Sequence, residues 1–199
     1  MKNVNKFDFW ESIYKEDDIG WDLNGPTPIF EEIASKLKPG KVIILGCGRG
    51  HDAITFARFG FNVTAVDFAP SAVGYLKSLC NKKNVKVNII QNDIFLLSKS
   101  LNNYFDYVIE QTCYCAIDPN RREQYERLIY RILKPNGRLI GLWYPLDKPF
   151  KSGGPPWGVS ISNLKDIFKK KWKITEESFS ELSVEKRKKR EKLIIFEKR

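Results

Sequence analysis

The stretch KVIILGCGRGHDAITFARFGFNVTAVD, Lys41 to Asp67, contains two apolar runs with a helical pattern between them. The first run ends in glycines at 46, 48 and 50, and the second ends on a lone carboxylate, Asp67. Short β-branched runs of this kind predict strands, and the intervening residues predict a helix. The unit is therefore strand, glycine loop, helix, strand, acid: a βαβ turn that holds an adenosine-containing ligand. Asp67 is placed to accept hydrogen bonds from two ribose hydroxyls. Gly46 and Gly48 are needed because a side chain would push the ligand off the backbone. A dinucleotide fingerprint requires G-x-G-x-x-G around a pyrophosphate. Here the third slot is His51 and the last glycine comes one residue early, at Gly50, which argues against a nicotinamide-dependent oxidoreductase.

The 199 residues (23.1 kDa) suit a single domain, 1–199, with a sizeable core. Met1 to Asp18 is polar and charged rather than a signal peptide, and no apolar run approaches the roughly 20 residues of a membrane span. Four cysteines, 47, 80, 113 and 115, read as free, buried thiols of a cytoplasmic chain. Cys113-x-Cys115 and one histidine do not make a closed metal site, so no metal is expected. The formal charge is +10, with an acidic beginning and a basic end. The runs Lys169–Lys171 and Lys186–Arg190 read as a solvated, lysine-rich surface, because no aromatic residues interleave with them as nucleic-acid stacking requires. Nucleic acid is thus not an expected partner, and a monomer is.

Outward from the glycine loop the elements alternate. Helices are predicted near 7–14, 28–37, 51–59, 70–81, 119–133 and 161–169, with Thr27 as the cap before Pro28. Strands are predicted at 42–46, 62–66, 86–90, 105–110, 138–144, 172–179 and 192–197, and Leu133–Gly137 as the turn between a helix and a strand. Such alternation implies a mostly parallel sheet covered on both faces. Ligands in these sheets bind beyond the carboxyl ends of the strands. After the second strand comes Phe68, which packs on an adenine face or in the core. After the third come Asp93 and Ile94, an acceptor for the adenine amino group beside an apolar wall, or a helix cap. After the fourth come Glu110, Gln111 and Tyr114. After the fifth, residues 145–160 hold Gly153-Gly154-Pro155-Pro156-Trp157, a shaped lid rather than a tether.

The G-x-G-x-G loop resembles the first motif of class I methyltransferases, whose seven-stranded Rossmann-like α/β/α sheet has an antiparallel last strand. In that setting Glu110 and Gln111 reach the methionyl ammonium and carboxylate of S-adenosylmethionine, and Tyr114 lies where an acceptor meets the methyl. Phe9-Trp10-Glu11, Tyr14, Gly20-Trp21-Asp22-Leu23, Pro26, Cys115–Pro119, Leu133–Gly137 and Gly153–Pro156 together resemble the thiopurine methyltransferase family, closest to its halide/thiol branch. The resemblance spans nearly the whole chain. It implies that residues 1–40 fold over the cofactor as a cover, with Trp10, Tyr14 and Trp21 beside its methionine portion. It also implies cofactor contacts from Gly46, Gly48, Asp67, Asp93, Ile94 and Gln111. Gln111 stands where thiopurine enzymes carry arginine and halide/thiol relatives carry tyrosine.

The expected reaction is in-line displacement of the sulfonium methyl by a small soft nucleophile: a thiol, a halide or a thiopurine. Positioning and desolvation suffice, since a thiol near pKa 8.5 is already partly ionised. His51 pairs into no Ser-His-Asp or Cys-His arrangement and reads as a helix N-terminal residue. Tyr114 is expected to orient the nucleophile, with core packing as its alternative. Two competing readings are a methyltransferase acting on RNA, DNA or protein, and a non-catalytic cofactor-binding protein.

Overall fold

The computed structural model describes residues 3–199. Its strands form a seven-stranded mixed sheet in the order β3-β2-β1-β4-β5-β7-β6, and the chain packs as two compact units, one ending at Leu97 and the other Ser98–Arg199.

The first unit contains α1 (Phe7–Lys15), α2 (Pro28–Lys36), β1 (Lys41–Leu45), α3 (His51–Arg58), β2 (Asn62–Asp67), α4 (Pro70–Lys83) and β3 (Asn88–Gln91). β1, β2 and β3 are parallel, with Ile44 beside Ala65 and Val66 beside Ile90. Val42–Leu45 and Val63–Asp67 are buried without alternation, which only a sheet covered on both faces permits. α4 starts with proline in its first turn and ends at Asn84 in the left-handed conformation, φ 50°, with Lys82 and Lys83 in the last turn. Thr27 occupies the cap position of α2 as expected, but its side chain does not cap the helix. The Thr27 N–H and hydroxyl instead donate to Asp52 Oδ1 and Oδ2, at 2.8 and 3.0 Å, tying the start of α2 to the first turn of α3.

The second unit contains β4 (Phe105–Gln111), α5 (Arg122–Ile132), β5 (Leu133–Trp143), α6 (Ile161–Ile167), β6 (Trp172–Ser178) and β7 (Lys192–Lys198). β5 is parallel to β4 and antiparallel to β7, so β7 is the reversed strand. The predicted turn Leu133–Gly137 proves to lie inside β5. Phe105 pairs with Leu133 and Tyr107 with Arg138, so residues 134–137 form a bulge rather than a connector. Asn136 takes φ 62° there, and a Cβ on Gly137 would stand 2.9 Å from Lys134 O. Trp143, Phe168 and Phe196 pack together in the core, and Trp172 Nε1 donates to Glu126 Oε1 at 2.8 Å. Lys198, also buried, donates to Tyr130 O and Leu133 O (both 2.7 Å) and to Asn103 Oδ1 (2.9 Å). It thereby satisfies carbonyls that the end of α5 would leave bare. No helix among the described residues is long and apolar enough to cross a membrane.

Gly50 caps α3 at φ 77°, and a Cβ on it would come within 2.3 Å of Leu76 Cδ1, a fully buried side chain of α4. The glycine that arrives early for a dinucleotide motif thus closes helix against helix. Gly50→Ala is expected to cost about 2–4 kcal/mol in urea unfolding, from left-handed strain and overpacking together. Gly25→Ala, with open space around its Cβ, should stay within about 0.5 kcal/mol of wild type.

Candidate active site

In the first unit the acid at the end of β2 organises the glycine loop. Asp67 is buried; its Oδ2 accepts the Gly48 N–H at 2.9 Å and its Oδ1 the Ala69 N–H at 3.0 Å. Burial pushes its carboxyl above the usual carboxylate range, against the pull of backbone N–H donors from Ala69, Gly48 and Phe68. The two oxygens offer four acceptor sites, so three N–H donors leave room for a hydroxyl donor.

The N-terminal aromatics meet this loop. A Cβ on Gly48 would stand 3.1 Å from Tyr14 Oη and 4.0 Å from Trp21 Nε1, so only glycine leaves the approach open. Tyr14 and Trp10 both pack edge-on to Trp21, at 5.7 and 5.8 Å between ring centroids. Burial and the nearby Asp67 push the Tyr14 phenol far above its ordinary pKa, which keeps it neutral. Arg49 and His51 face acids of the same segment. Arg49 reaches Asp17 (2.5 Å) and Asp22 (3.6 Å), and His51 Nε2 lies 3.4 Å from Asp22 Oδ1. His51 therefore begins α3 as expected and, beyond that, faces Asp22. Glu11 is buried and bridges α1 to α4: its Oε2 accepts the Ser71 N–H (2.9 Å) and its Oε1 the Ser71 hydroxyl (2.7 Å). A carboxylate at a helix N-terminus suits the helix dipole.

Trp10, Tyr14, Trp21, Gly48 and Asp67 thus form one contiguous group in the first unit, flanked in sequence by Gly46 and half-buried Phe68. Asp93 and Ile94 follow β3, whose last residue pairs with Asp67. Asp93 Oδ1 accepts the Phe95 N–H at 2.9 Å, so the cap role is the one this oxygen plays.

In the second unit, Gln111 closes β4 and Tyr114 follows three residues on. Glu110, expected to reach a ligand ammonium, points inward instead: only 1 % exposed, it accepts the Cys113 and Tyr114 N–H groups on Oε1 (3.0 and 2.9 Å) and the Tyr125 hydroxyl on Oε2. These bonds hold a turn in which Thr112 has φ 56°. A β-branched residue there costs of order 1–3 kcal/mol and persists only where its surroundings impose it.

The turn sets Tyr114 edge-on to Trp143 (5.2 Å) and Tyr125 (5.7 Å), with the Arg122 guanidinium 4.4 Å from its ring centre. Burial raises the Tyr114 phenol to about 12, against the pull of Arg122. Residues 145–160 lie against this turn: the Trp157 N–H donates to Cys115 O (2.8 Å), and Arg122 Nη2 to Gly158 O (3.3 Å). A Cβ on Gly154 would clash with the Trp157 ring at 2.4 Å, which explains why the loop needs that glycine.

The basic run near the end of the chain departs from a merely solvated face. Lys186, Lys188 and Lys189 are exposed, but Arg187 is buried beside Glu191 (3.7 Å) and the Tyr144 ring (5.3 Å). Arg190 pairs with Asp147 at 2.7 Å. The run anchors the start of the 145–160 loop. All four cysteines are free, and burial pushes the Cys115 thiol up to about 12.

A glycine loop under aromatic side chains, an acid at the end of β2 and a seven-stranded sheet with one reversed strand define a class I, S-adenosylmethionine-dependent methyltransferase. A solved structure of Burkholderia thailandensis 1,6-didemethyltoxoflavin-N1-methyltransferase with bound S-adenosylhomocysteine superposes with a TM-score of 0.79 at 18% identity, covering 96% of this chain and 86% of that one. The sequence model of the family described as "Thiopurine S-methyltransferase (TPMT)" matches residues 5–199. The chain belongs to this family, and it is an S-adenosylmethionine-dependent S-methyltransferase. "Probable thiol methyltransferase 2" of Arabidopsis thaliana is 31% identical over 171 residues, 84% of this chain and 74% of its own length. "Thiocyanate methyltransferase 1" of Brassica oleracea is 30% identical over 162 residues, 79% and 70% of the two lengths.

Glu110 gives the second unit a measurable pH dependence. Burial raises its carboxyl from 4.5 to about 7, so the folded protein holds this proton more tightly than the unfolded chain. Unfolding then releases a proton between these values. The contribution to stability is full below pH 4.5 and lost as pH rises through 7, a fall of about 3 kcal/mol at most. Unfolding free energies should fall more steeply from pH 4 to 8 in wild type than in Glu110→Gln.

Proposed function

We propose that the chain transfers a methyl group to a small soft nucleophile of the thiol or halide kind. The observation that carries the reading is the junction of Asp67, Gly48 and the Tyr14–Trp21 pair. It offers a ribose acceptor, a bare backbone and an aromatic cover together, and it fits S-adenosylmethionine. The family match running unbroken over residues 5–199 supports reading the chain as one methyltransferase domain, with 1–40 as cover and 145–160 as lid.

Within this reading, Asp67 accepts from the ribose hydroxyls. Gly46 and Gly48 let the ligand lie against the backbone. Phe68 and Ile94 contact the adenine face, and Asp93 uses its second oxygen toward the adenine amino group. Trp10, Tyr14 and Trp21 exclude water from the methionine portion, and Gln111 is assigned to the same ligand by its place in the family's motif. When bound, the cofactor supplies a methyl on sulfonium sulfur, and the electron pair of the broken C–S bond leaves with S-adenosylhomocysteine as the acceptor's lone pair forms the new bond. Tyr114 orients the acceptor through its hydroxyl, which makes no hydrogen bond among the described residues. Glu110 is engaged with the 112–114 turn, and His51 stands 3.4 Å from Asp22 in the first unit, so neither is assigned as a general base. The acceptor must arrive as an anion or carry an ionised thiol, and expulsion of its water shell favours attack. Four free thiols accord with a reducing cytoplasm.

Asp67→Asn is expected to weaken S-adenosylmethionine binding by about 100-fold, the loss of two charge-assisted hydrogen bonds. Calorimetry returning the wild-type affinity would remove the ribose role, with a thermal melt checking that the Gly48 and Ala69 bonds survive. Trp21→Ala should raise the cofactor Kd or lower turnover at least about tenfold through loss of the cover. Wild-type kinetics would dismiss it. The acceptor itself is tested by methyl transfer across bisulfide, small thiols, thiocyanate, iodide and thiopurines. Turnover confined to thiopurines would overturn the small-nucleophile reading.

A further inference from the structure

The second unit holds a buried cation whose donors are mostly unspent. Arg122, the first residue of α5, is 9 % exposed. Its Nη2 donates to Gly158 O at 3.3 Å, while its Nε is enclosed without any acceptor. It forms no ion pair among the described residues. Glu110, the acid beside it in the buried cluster, has both oxygens engaged by Cys113, Tyr114 and Tyr125. The guanidinium is held by ring faces instead: Tyr114 at 4.4 Å and Phe150, itself 54 % exposed, at 5.7 Å. A buried charge is ordinarily paired, because desolvation without a counter-charge is costly. Here the one neighbouring acid, Glu110, acts on Arg122 only through space, so the guanidinium has no carboxylate in contact while it lies against the Tyr114 ring.

We propose that Arg122 and the Tyr114 hydroxyl form an acceptor subsite that takes its substrate as a small, weakly hydrated monovalent anion, such as a thiolate, thiocyanate or iodide. The inference rests on the reading of Tyr114 as the group that meets the nucleophile. A guanidinium is itself weakly hydrated and tolerates aromatic faces, so it can bind such an anion without a fully wet site. A strongly hydrated anion such as phosphate would need more donors than one guanidinium edge and one phenol supply. The charge logic also separates substrate from product. Methyl transfer turns a thiocyanate, iodide or thiolate into a neutral molecule, which no longer balances Arg122 and is released. Charge, rather than shape, then discriminates the two.

The test uses the full chain loaded with S-adenosylhomocysteine and titrated with thiocyanate or iodide. In wild-type protein labelled with 15N, the Arg122 Nε–H signal, assigned by its loss in Arg122→Lys, should shift saturably. An unmoved signal overturns the proposal without recourse to any variant. Arg122→Met, which keeps the aliphatic stem, should bind thiocyanate at least about tenfold more weakly, with KM for iodide raised by a similar factor and kcat changed by less than about threefold. Its affinity for S-adenosylhomocysteine should stay at the wild-type value. Arg122→Lys should recover part of the loss. Undiminished thiocyanate binding by a folded Arg122→Met protein overturns the assignment. Saturable binding at Arg122 with no methylation of any anion would leave the subsite standing and remove the small-nucleophile reading, so the two fail separately.

Discussion

A buried carboxylate at the carboxyl end of a parallel strand must find donors, and both units are arranged around that requirement. Asp67 at the end of β2 takes the amides of Gly48 and Ala69. Glu110, the penultimate residue of β4, takes those of Cys113 and Tyr114 together with the Tyr125 hydroxyl. In each case the nearest unpaired amides belong to the loops that follow strands, since the strand ladder has consumed its own. The acids therefore shape the loops on which the chemistry depends. They differ in what they shape: Asp67 holds the glycine loop through the Gly48 amide, whereas Glu110 fixes the turn that carries Tyr114.

The βαβ unit was legible because its signals are local. Two apolar runs, a glycine loop and a terminal acid lie within 27 residues of each other, Lys41 to Asp67, and every element from α1 to β7 falls close to where periodicity puts it. Turn chemistry was less transparent. Lys134-Pro135-Asn136-Gly137 looks like any connector, and only the pairing of Leu133 with Phe105 turns it into a bulge within β5. Thr27 was assigned correctly by position but not by bond, because Asp52 lies 25 residues away and is a better acceptor for its hydroxyl than the helix can be a donor to it. Such long-range side-chain choices leave no trace in spacing.

The candidate site divides along the same line. Asp67 and Gly48 were readable from the motif and the Trp10–Tyr14–Trp21 group only through the family resemblance, and the structure packs them together. Glu110 was misread because burial cannot be told from a strand-end position alone. Arg122 was missed, although a signal existed: it shares the inward face of α5 with Tyr125, Glu126, Ile129 and Ile132, where a charge is out of place among buried neighbours. The Lys186–Arg190 run misled in the opposite sense, since a string of cations suggests uniform solvation while Arg187 within it is buried. In both instances the informative feature is an individual arginine rather than the net charge.

Lys198 ties the order of synthesis to the order of folding. The carbonyls it satisfies at Tyr130 and Leu133 lie 68 and 65 residues earlier in the chain. A ribosome emitting β4, α5 and β5 therefore releases a helix end whose Arg131 and Ile132 carbonyls already meet Asn103 and Tyr104, while those of Tyr130 and Leu133 wait for the Lys198 ammonium of β7. The first unit faces no such delay, because β1, β2 and β3 pair with near neighbours in sequence. The aromatic core around Trp143, Phe168 and Phe196 is therefore the last part of the chain whose contacts can all be made, since Phe196 lies in β7.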